Sequence, residues 1–158
     1  MTRSAPLRTS MLAAAMLAGA GPAHSHPAAD DRRQRGEAVV RSLNEGQPQP
    51  ALEALRREFP FLADATERYA LGEVWARPGL DARTRQIATV AAFAALGHLP
   101  YMKVHAGYAL NAGVTEEELK EVVYLTTVHA GFPRAIDAAG ALSSLFEERR
   151  RAAAPPAP

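Results

Sequence analysis

Helix-length apolar patterns alternate with helix-boundary residues between positions 82 and 130, and this pattern constrains the fold more than any other feature. Asp81 is a good N-cap for a helix over 82–96, in which apolar residues recur at every third or fourth position. Gly97 ends that helix, and Pro100 suits the first turn of the next one. The pattern therefore predicts consecutive short helices joined by tight turns.

The rest of the chain repeats this organisation. Thr115 and Glu118 form a capping-box pattern before another apolar helix, and Gly113 is the expected left-handed residue that ends the helix before it. No segment shows the alternation of a half-buried strand. The sequence thus predicts an all-α, single-domain helical bundle. Its helices are expected at 31–43, 51–59, 60–76, 82–96, 100–111, 116–129 and 133–151.

Residues 1–25 have the three-part pattern of a cleavable secretory signal. Arg3 and Arg8 precede a short apolar run over 11–20, and small residues flank a cleavage position after Ser25. The run is about ten residues, too short to cross a bilayer. We therefore expect a periplasmic or secreted protein; a disordered basic leader and a misassigned start codon are the alternatives. The mature chain is expected to comprise a flexible start and N-terminal helix (26–50), a helical domain (51–151) and a disordered tail (152–158).

The charge balance argues against an electrostatic surface for nucleic acid or membrane. The leader carries two basic and no acidic residues, so the mature chain has 16 basic and 17 acidic residues and a net charge of −1. Such a balance provides no basic surface for nucleic acid or for an anionic membrane. We expect neither as a partner of the mature protein.

Two segments carry a resemblance to a known family. The first reads Gly-Glu-Val-Trp-Ala-Arg-Pro-Gly-Leu over 72–80 and leads into a helix with Arg83 and Arg85. The second, Asn-Ala-Gly-Val-Thr-Glu-Glu-Glu over 111–118, follows His105. In this order they resemble the carboxymuconolactone decarboxylase family, whose superfamily includes the alkylhydroperoxidase D-like thiol peroxidases. The resemblance implies the helical bundle of that superfamily, self-assembly into a trimer or hexamer with sites near subunit contacts, and no cofactor.

The peroxidase branch of this superfamily depends on a Cys-x-x-Cys-x-x-x-His pattern, and this chain contains no cysteine. By resemblance, His98 and Tyr101 stand at the cysteine positions and Gln86 stands at the position of an acid, whereas His105 is retained. Because no thiolate can form, cysteine-based peroxide reduction is excluded chemically. Peroxiredoxin-type antioxidant activity is therefore disfavoured, and a non-enzymatic periplasmic binding or scaffold protein is the stronger alternative to an enzyme.

The decarboxylase branch also lacks the cysteine pair and keeps the histidine. The resemblance implies a carboxy-lyase that removes carbon dioxide from a small carboxylated lactone or keto acid, or a related proton transfer, without a cofactor. His105 is then the candidate acid/base, with a pKa expected near neutrality. Arg85 is the candidate carboxylate clamp, since a guanidinium donates paired N–H bonds to a carboxylate. A core histidine bonded to a carbonyl or hydroxyl is the alternative for His105.

Glu73 is a third candidate catalytic residue, as a base or as the partner that orients an arginine; capping or solvation is its alternative. The candidate substrate-binding residues are Arg83, Tyr101, His98, His129 and Trp75. Both Arg83 and Arg85 oppose the helix dipole, which favours a specific use, although ion pairs with Glu73 or Glu67 would also explain them.

Two further interpretations concern Trp75 and the three histidines. Trp75 has core packing as its alternative. The histidines His98, His105 and His129 match no ligand motif in their spacing, so no metal is expected.

Overall fold

The computed structural model describes residues 29–154, and the leader predicted at 1–25 lies outside them. Every regular element in the described part is a helix, which confirms the all-α prediction. None of these helices is both long and apolar enough to cross a membrane. The elements are α1 (Ala29–Leu43), α2 (Pro50–Glu58), α3 (Pro60–Ala65), a π-helix (Thr66–Trp75), α4 (Ala82–Leu96), α5 (Leu99–Asn111), α6 (Glu116–Ala130) and α7 (Phe132–Ala153).

Local capping explains why the predicted boundaries of α4 and α6 agree with the observed ones. The side chain of Asp81 accepts a hydrogen bond from the backbone N–H of Thr84 at 2.8 Å. The side chains of Thr115 and Glu118 satisfy each other's backbone N–H groups, the reciprocal arrangement of a capping box. These bonds satisfy N–H groups that a helix leaves unpaired at its start.

Helices α4 to α7 form the hydrophobic core. Small residues let these helices approach closely, while a few large side chains fill the remaining space. The residues with no exposed surface in this core are Val90, Ala94, Met102, Ala106, Ala109, Leu119 and Ala138. At the C-terminal end, α7 continues through Ala153, so it includes the first two residues of the predicted tail; residues 155–158 lie outside the described part.

The π-helix is the main departure from the predicted elements, because 60–76 was expected to be one α-helix. The N–H of Ala76 donates to the carbonyl of Leu71, five residues back, at 3.0 Å. This segment packs against α1 through two glycines. A Cβ on Gly72 would lie 2.0 Å from the carbonyl oxygen of Arg32, and a Cβ on Gly36 would lie 2.1 Å from that of Glu67.

A buried carboxylate joins the N-terminal elements. Glu67 is only 2% exposed, and its Oε2 accepts a hydrogen bond from Nη1 of Arg56 on α2 at 3.0 Å. Arg33 on α1 lies 3.6 Å from the same oxygen. Two arginines from different helices therefore compensate the cost of burying this charge.

Polar contacts connect this N-terminal group to the core bundle. Nδ2 of Asn111 donates to the carbonyl of Leu43 at 2.9 Å, and Nε2 of Gln49 donates to the hydroxyl of Tyr108 at 2.6 Å. Between these contacts, α5 faces α1, α2 and the π-helix across a gap. That gap contains the candidate site.

Candidate active site

A cavity of about 540 Å³ lies between α5 and the N-terminal elements. Its wall is largely apolar, and none of the described residues that line it is Arg, Lys, Asp or Glu. A volume of this size suits a small organic molecule. The lining side chains with polar groups other than the indole of Trp75 are Gln49, Thr66, Tyr101, His105 and Tyr108.

Aromatic side chains surround His105 at this cavity. Its ring stacks on Trp75, with centroids 5.6 Å apart and an angle of 21° between the planes. The ring centroid of Phe93 on α4 lies 5.4 Å from that of His105. The ring of Tyr108 lies edge-on to His105, with centroids 5.8 Å apart. The structure thus brings two predicted site residues, His105 and Trp75, into contact at this cavity.

Burial changes the acid–base character of His105. It lowers the pKa of this imidazole from the ordinary value of 6.5 to about 4, because the charged form loses solvation in the aromatic surround. The expectation of a near-neutral pKa is corrected accordingly. At pH 7 the resting side chain is neutral.

This shift predicts a pH dependence of stability. The unfolded chain protonates this imidazole near pH 6.5 and the folded chain only near pH 4, so the unfolded state binds more protons between these values. We therefore expect the free energy of unfolding to fall as the pH is lowered through this window. Urea denaturation at several pH values, compared with His105→Asn, would measure it. A variant curve with the same slope as wild type would contradict the prediction.

Gln86 fixes one side of the His105 ring. Its side chain is completely buried on α4, and its Oε1 lies 3.0 Å from Nδ1 of His105. The amide Nε2 of Gln86 has no hydrogen-bond partner among the described residues. Sequence reasoning treated Gln86 only as a replaced acid, although its spacing of four from Val90 and eight from Ala94 places it on the buried face of α4.

Tyr108 is a second residue that sequence reasoning missed. Its oxygen accepts the hydrogen bond from Gln49, which leaves its own hydrogen available to a ligand in the cavity. Burial raises the pKa of this phenol, and the bond from Gln49 acts in the opposite direction. Its spacing of three from His105 and seven from Tyr101 was the available signal, since these positions share a helix face.

The two predicted arginines point to structural partners and are absent from the cavity lining. Arg85 donates from Nε to the carbonyl of Leu80 at 3.2 Å and from Nη2 to the carbonyl of Arg77, so it braces the turn before α4. Arg83 forms an ion pair with Glu118, which connects the starts of α4 and α6. The ion pairs with Glu73 or Glu67 considered above are not the ones observed for either arginine.

The other candidates divide between the cavity wall and the surface. Tyr101 lines the cavity although it is 63% exposed. His98 is exposed and lies edge-on to Phe93 and Tyr101 without lining the cavity. Glu73 pairs with Arg32 at 2.7 Å, away from the lining.

His129 is exposed in the last turn of α6, outside the cavity lining. Within residues 29–154, no three His, Asp or Glu side chains are arranged to hold a metal ion. The structure therefore does not gather His98, His105 and His129 into a ligand set.

Comparison with known proteins agrees with this architecture. Residues 60–144 match the model of the carboxymuconolactone decarboxylase family. The chain belongs to that family. The matched region includes the π-helix, α4 and α5, and hence His105, Gln86, Trp75 and Tyr108. The family resemblance of the cysteine-free sequence is confirmed.

Three relatives show how far the likeness extends. The 4-carboxymuconolactone decarboxylase of Acinetobacter baylyi is 33% identical over 121 residues, which cover 75% of this chain and 90% of the relative. The nitrosuccinic acid decarboxylase of Metarhizium robertsii is 37% identical over 90 residues, 54% of this chain and 62% of the relative. An uncharacterized 15.0 kDa protein of Paracoccus denitrificans is 29% identical over 118 residues, 73% and 87% of the two chains.

Proposed function

We propose that this member of the carboxymuconolactone decarboxylase family is a carboxy-lyase that removes carbon dioxide from a small unsaturated or keto acid without a cofactor. The observation that carries the proposal is a half-buried His105 facing an apolar cavity large enough for such an acid. Two relatives bear decarboxylase names, one for 4-carboxymuconolactone and one for nitrosuccinic acid, which supports the removal of carbon dioxide from a small acid.

The proposed reaction consumes one proton for each acid converted. The bond between the carboxylate carbon and its neighbour breaks, carbon dioxide leaves, and the electron pair moves into the conjugated carbonyl as an enolate. Nε2 of His105 then delivers a proton to carbon, and the product is released. Written as charges, RCOO⁻ and H⁺ give RH and CO₂.

Other residues at the cavity support this reaction in distinct ways. The hydroxyl of Tyr108 can donate a hydrogen bond to the developing enolate oxygen, where charge accumulates in the transition state. Trp75 provides a flat apolar surface for a lactone ring. Because Arg85 is committed to two backbone carbonyls, we propose that it holds the 77–80 turn rather than the substrate.

The test is release of carbon dioxide by the mature chain, residues 26–158. The panel comprises 4-carboxymuconolactone, nitrosuccinate and a β-keto acid, each incubated in D₂O and compared with its spontaneous decay. We expect accelerated release from at least one acid, with one deuterium incorporated at a product carbon over which the enolate charge was delocalised, either the carbon that lost the carboxylate or the carbon next to the carbonyl. A folded, helical protein that accelerates none of them would favour the non-enzymatic binding or scaffold function. The leader, if cleaved as predicted, would place the substrate outside the cytoplasm.

We also propose that the chain assembles with copies of itself, as a trimer or hexamer. Support comes from an exposed apolar surface at the junction of α6 and α7, since exposed patches of this kind are uncommon on monomers. Its residues are Tyr124, Leu125, Val128, Phe132 and Ile136. Native mass spectrometry at micromolar concentration would test this, and a spectrum with monomer alone would contradict it.

A further inference from the structure

The contact between Gln86 and His105 decides which nitrogen of the ring keeps a free lone pair for a ligand in the cavity that His105 lines. Oε1 of Gln86 lies 3.0 Å from Nδ1, and a carbonyl oxygen can only accept a hydrogen bond. Nδ1 therefore carries the hydrogen of the neutral ring. Among the described residues Nε2 has no hydrogen-bond partner, so the neutral imidazole presents an acceptor there.

Among the described residues, none that lines the cavity at His105 carries a positive charge at neutral pH. The groups packed on the His105 ring are Trp75 of the π-helix, Phe93 and Gln86 of α4, and Tyr108 of its own helix, all of them uncharged. Burial alone lowers the imidazole pKa to about 4, and no charged neighbour contributes. A carboxylate entering this cavity would lose solvation without gaining a cationic partner among the lining residues, which is strongly unfavourable.

We propose that a carboxylate enters the cavity together with a proton, which His105 takes up at Nε2 while Gln86 holds Nδ1–H. The resulting imidazolium is the cation that faces the carboxylate, and the same proton is then in place for transfer to carbon. The inference rests on the proposed function only in taking an acid as the ligand. Gln86 is a positioning residue, because it acts through His105.

An amide suits this role better than a carboxylate would. A glutamate at position 86 would stabilise the imidazolium by a charge-assisted hydrogen bond and raise the pKa of His105. The ring would then hold its proton without a ligand. Gln86 accepts the Nδ1–H bond without supplying charge, so the ring remains neutral until an anion arrives.

Isothermal titration calorimetry tests this with binding alone. The probe is 5-oxotetrahydrofuran-2-carboxylate, a saturated lactone acid that cannot stabilise a carbanion by conjugation, and its methyl ester is the neutral control. Titrations in phosphate and in Tris at the same pH give the number of protons taken up from the difference in heats. For wild type at pH 7 we expect about one proton per bound acid and none for the ester. The affinity for the acid should fall about tenfold per pH unit between pH 5 and 7.

Two variants and one spectrum complete the test. Gln86→Glu should lose most of the proton uptake at pH 7, whereas Gln34→Glu, the same change at an exposed position of α1, should keep it. Should Gln86→Glu fail to fold, ¹⁵N NMR of wild-type His105 replaces it and should show hydrogen on Nδ1. Hydrogen on Nε2, binding of the acid without proton uptake, or no binding between pH 4 and 8 would overturn the inference.

These outcomes are separable from those of the proposed function, because no turnover is measured. Proton-coupled binding with no carbon dioxide release from any acid would leave this inference standing and contradict the decarboxylase. Carbon dioxide release with no proton uptake on binding would do the reverse.

Discussion

Replacing His105 with asparagine is expected to lower the rate of carbon dioxide release by about 10²- to 10⁴-fold, the usual contribution of a positioned acid or base. Asparagine is polar and smaller than the imidazole, but it cannot carry a proton to carbon. The loss should appear in kcat, because no proton reaches carbon, and KM should rise as well, because the carboxylate loses the imidazolium that faces it while the apolar wall and Trp75 still receive the substrate ring. Steady-state kinetics with the best acid of the panel would measure it.

His98→Asn is the matched control for that variant. His98 is exposed and outside the cavity lining, although its ring lies 6.5 Å from that of Tyr101, measured between centroids. Its replacement should leave kcat within about twofold of wild type, an effect below about 0.4 kcal/mol in the barrier. Equal activity in wild type and His105→Asn would contradict the assignment of His105 as the proton donor. A large loss of activity in His98→Asn would indicate that the active site lies nearer the start of α5.

Gly72→Ala is expected to destabilise the protein by about 1–3 kcal/mol, the range typical of overpacking. The new methyl group would lie 2.0 Å from the backbone carbonyl of Arg32, which cannot rotate away as a side chain could. α1 and the π-helix must therefore separate. Since Trp75 lies three residues further on, its stacking on His105 should weaken as well.

Two readouts follow this change. Urea denaturation gives the loss of stability, and the fluorescence of Trp75, the only tryptophan of the chain, should shift to longer wavelength as the indole gains water contact. Gly140→Ala is the control, because its Cβ would meet nothing within 4 Å in α7. It should be neutral or stabilising by up to about 1 kcal/mol. Equal stability of wild type and Gly72→Ala would show that the close packing at Gly72 is not required.

Local signals account for the parts of the fold that were predicted correctly. Asp81 and the Thr115–Glu118 pair act on neighbouring backbone groups, so their effect is readable within a few residues. The π-helix has no such signal. Its geometry accompanies the contact between Gly72 and α1, a partner some forty residues away along the chain.

The site was predictable where residue type alone carries the chemistry. His105 and Trp75 were selected for their chemistry and their place in the family pattern, and they meet at the cavity. The arginines were harder, because Arg83 finds its partner in Glu118, thirty-five residues later. Gln86 was missed as a functional residue because its contact with His105 joins two helices.

The burial of His105 was also beyond sequence reasoning. Its low pKa arises from Trp75, Phe93 and Tyr108 closing around the ring, and these residues come from three different helices. A sequence pattern identifies the imidazole, whereas its protonation state depends on how these helices pack.

A crystal structure with 5-oxotetrahydrofuran-2-carboxylate bound would test the central claim most directly. The account predicts the lactone ring against Trp75 and a carboxylate oxygen within about 2.6–3.2 Å of Nε2 of His105, with Gln86 still on Nδ1. A ligand bound outside this cavity, or one in it with its carboxylate turned away from His105, would contradict the account.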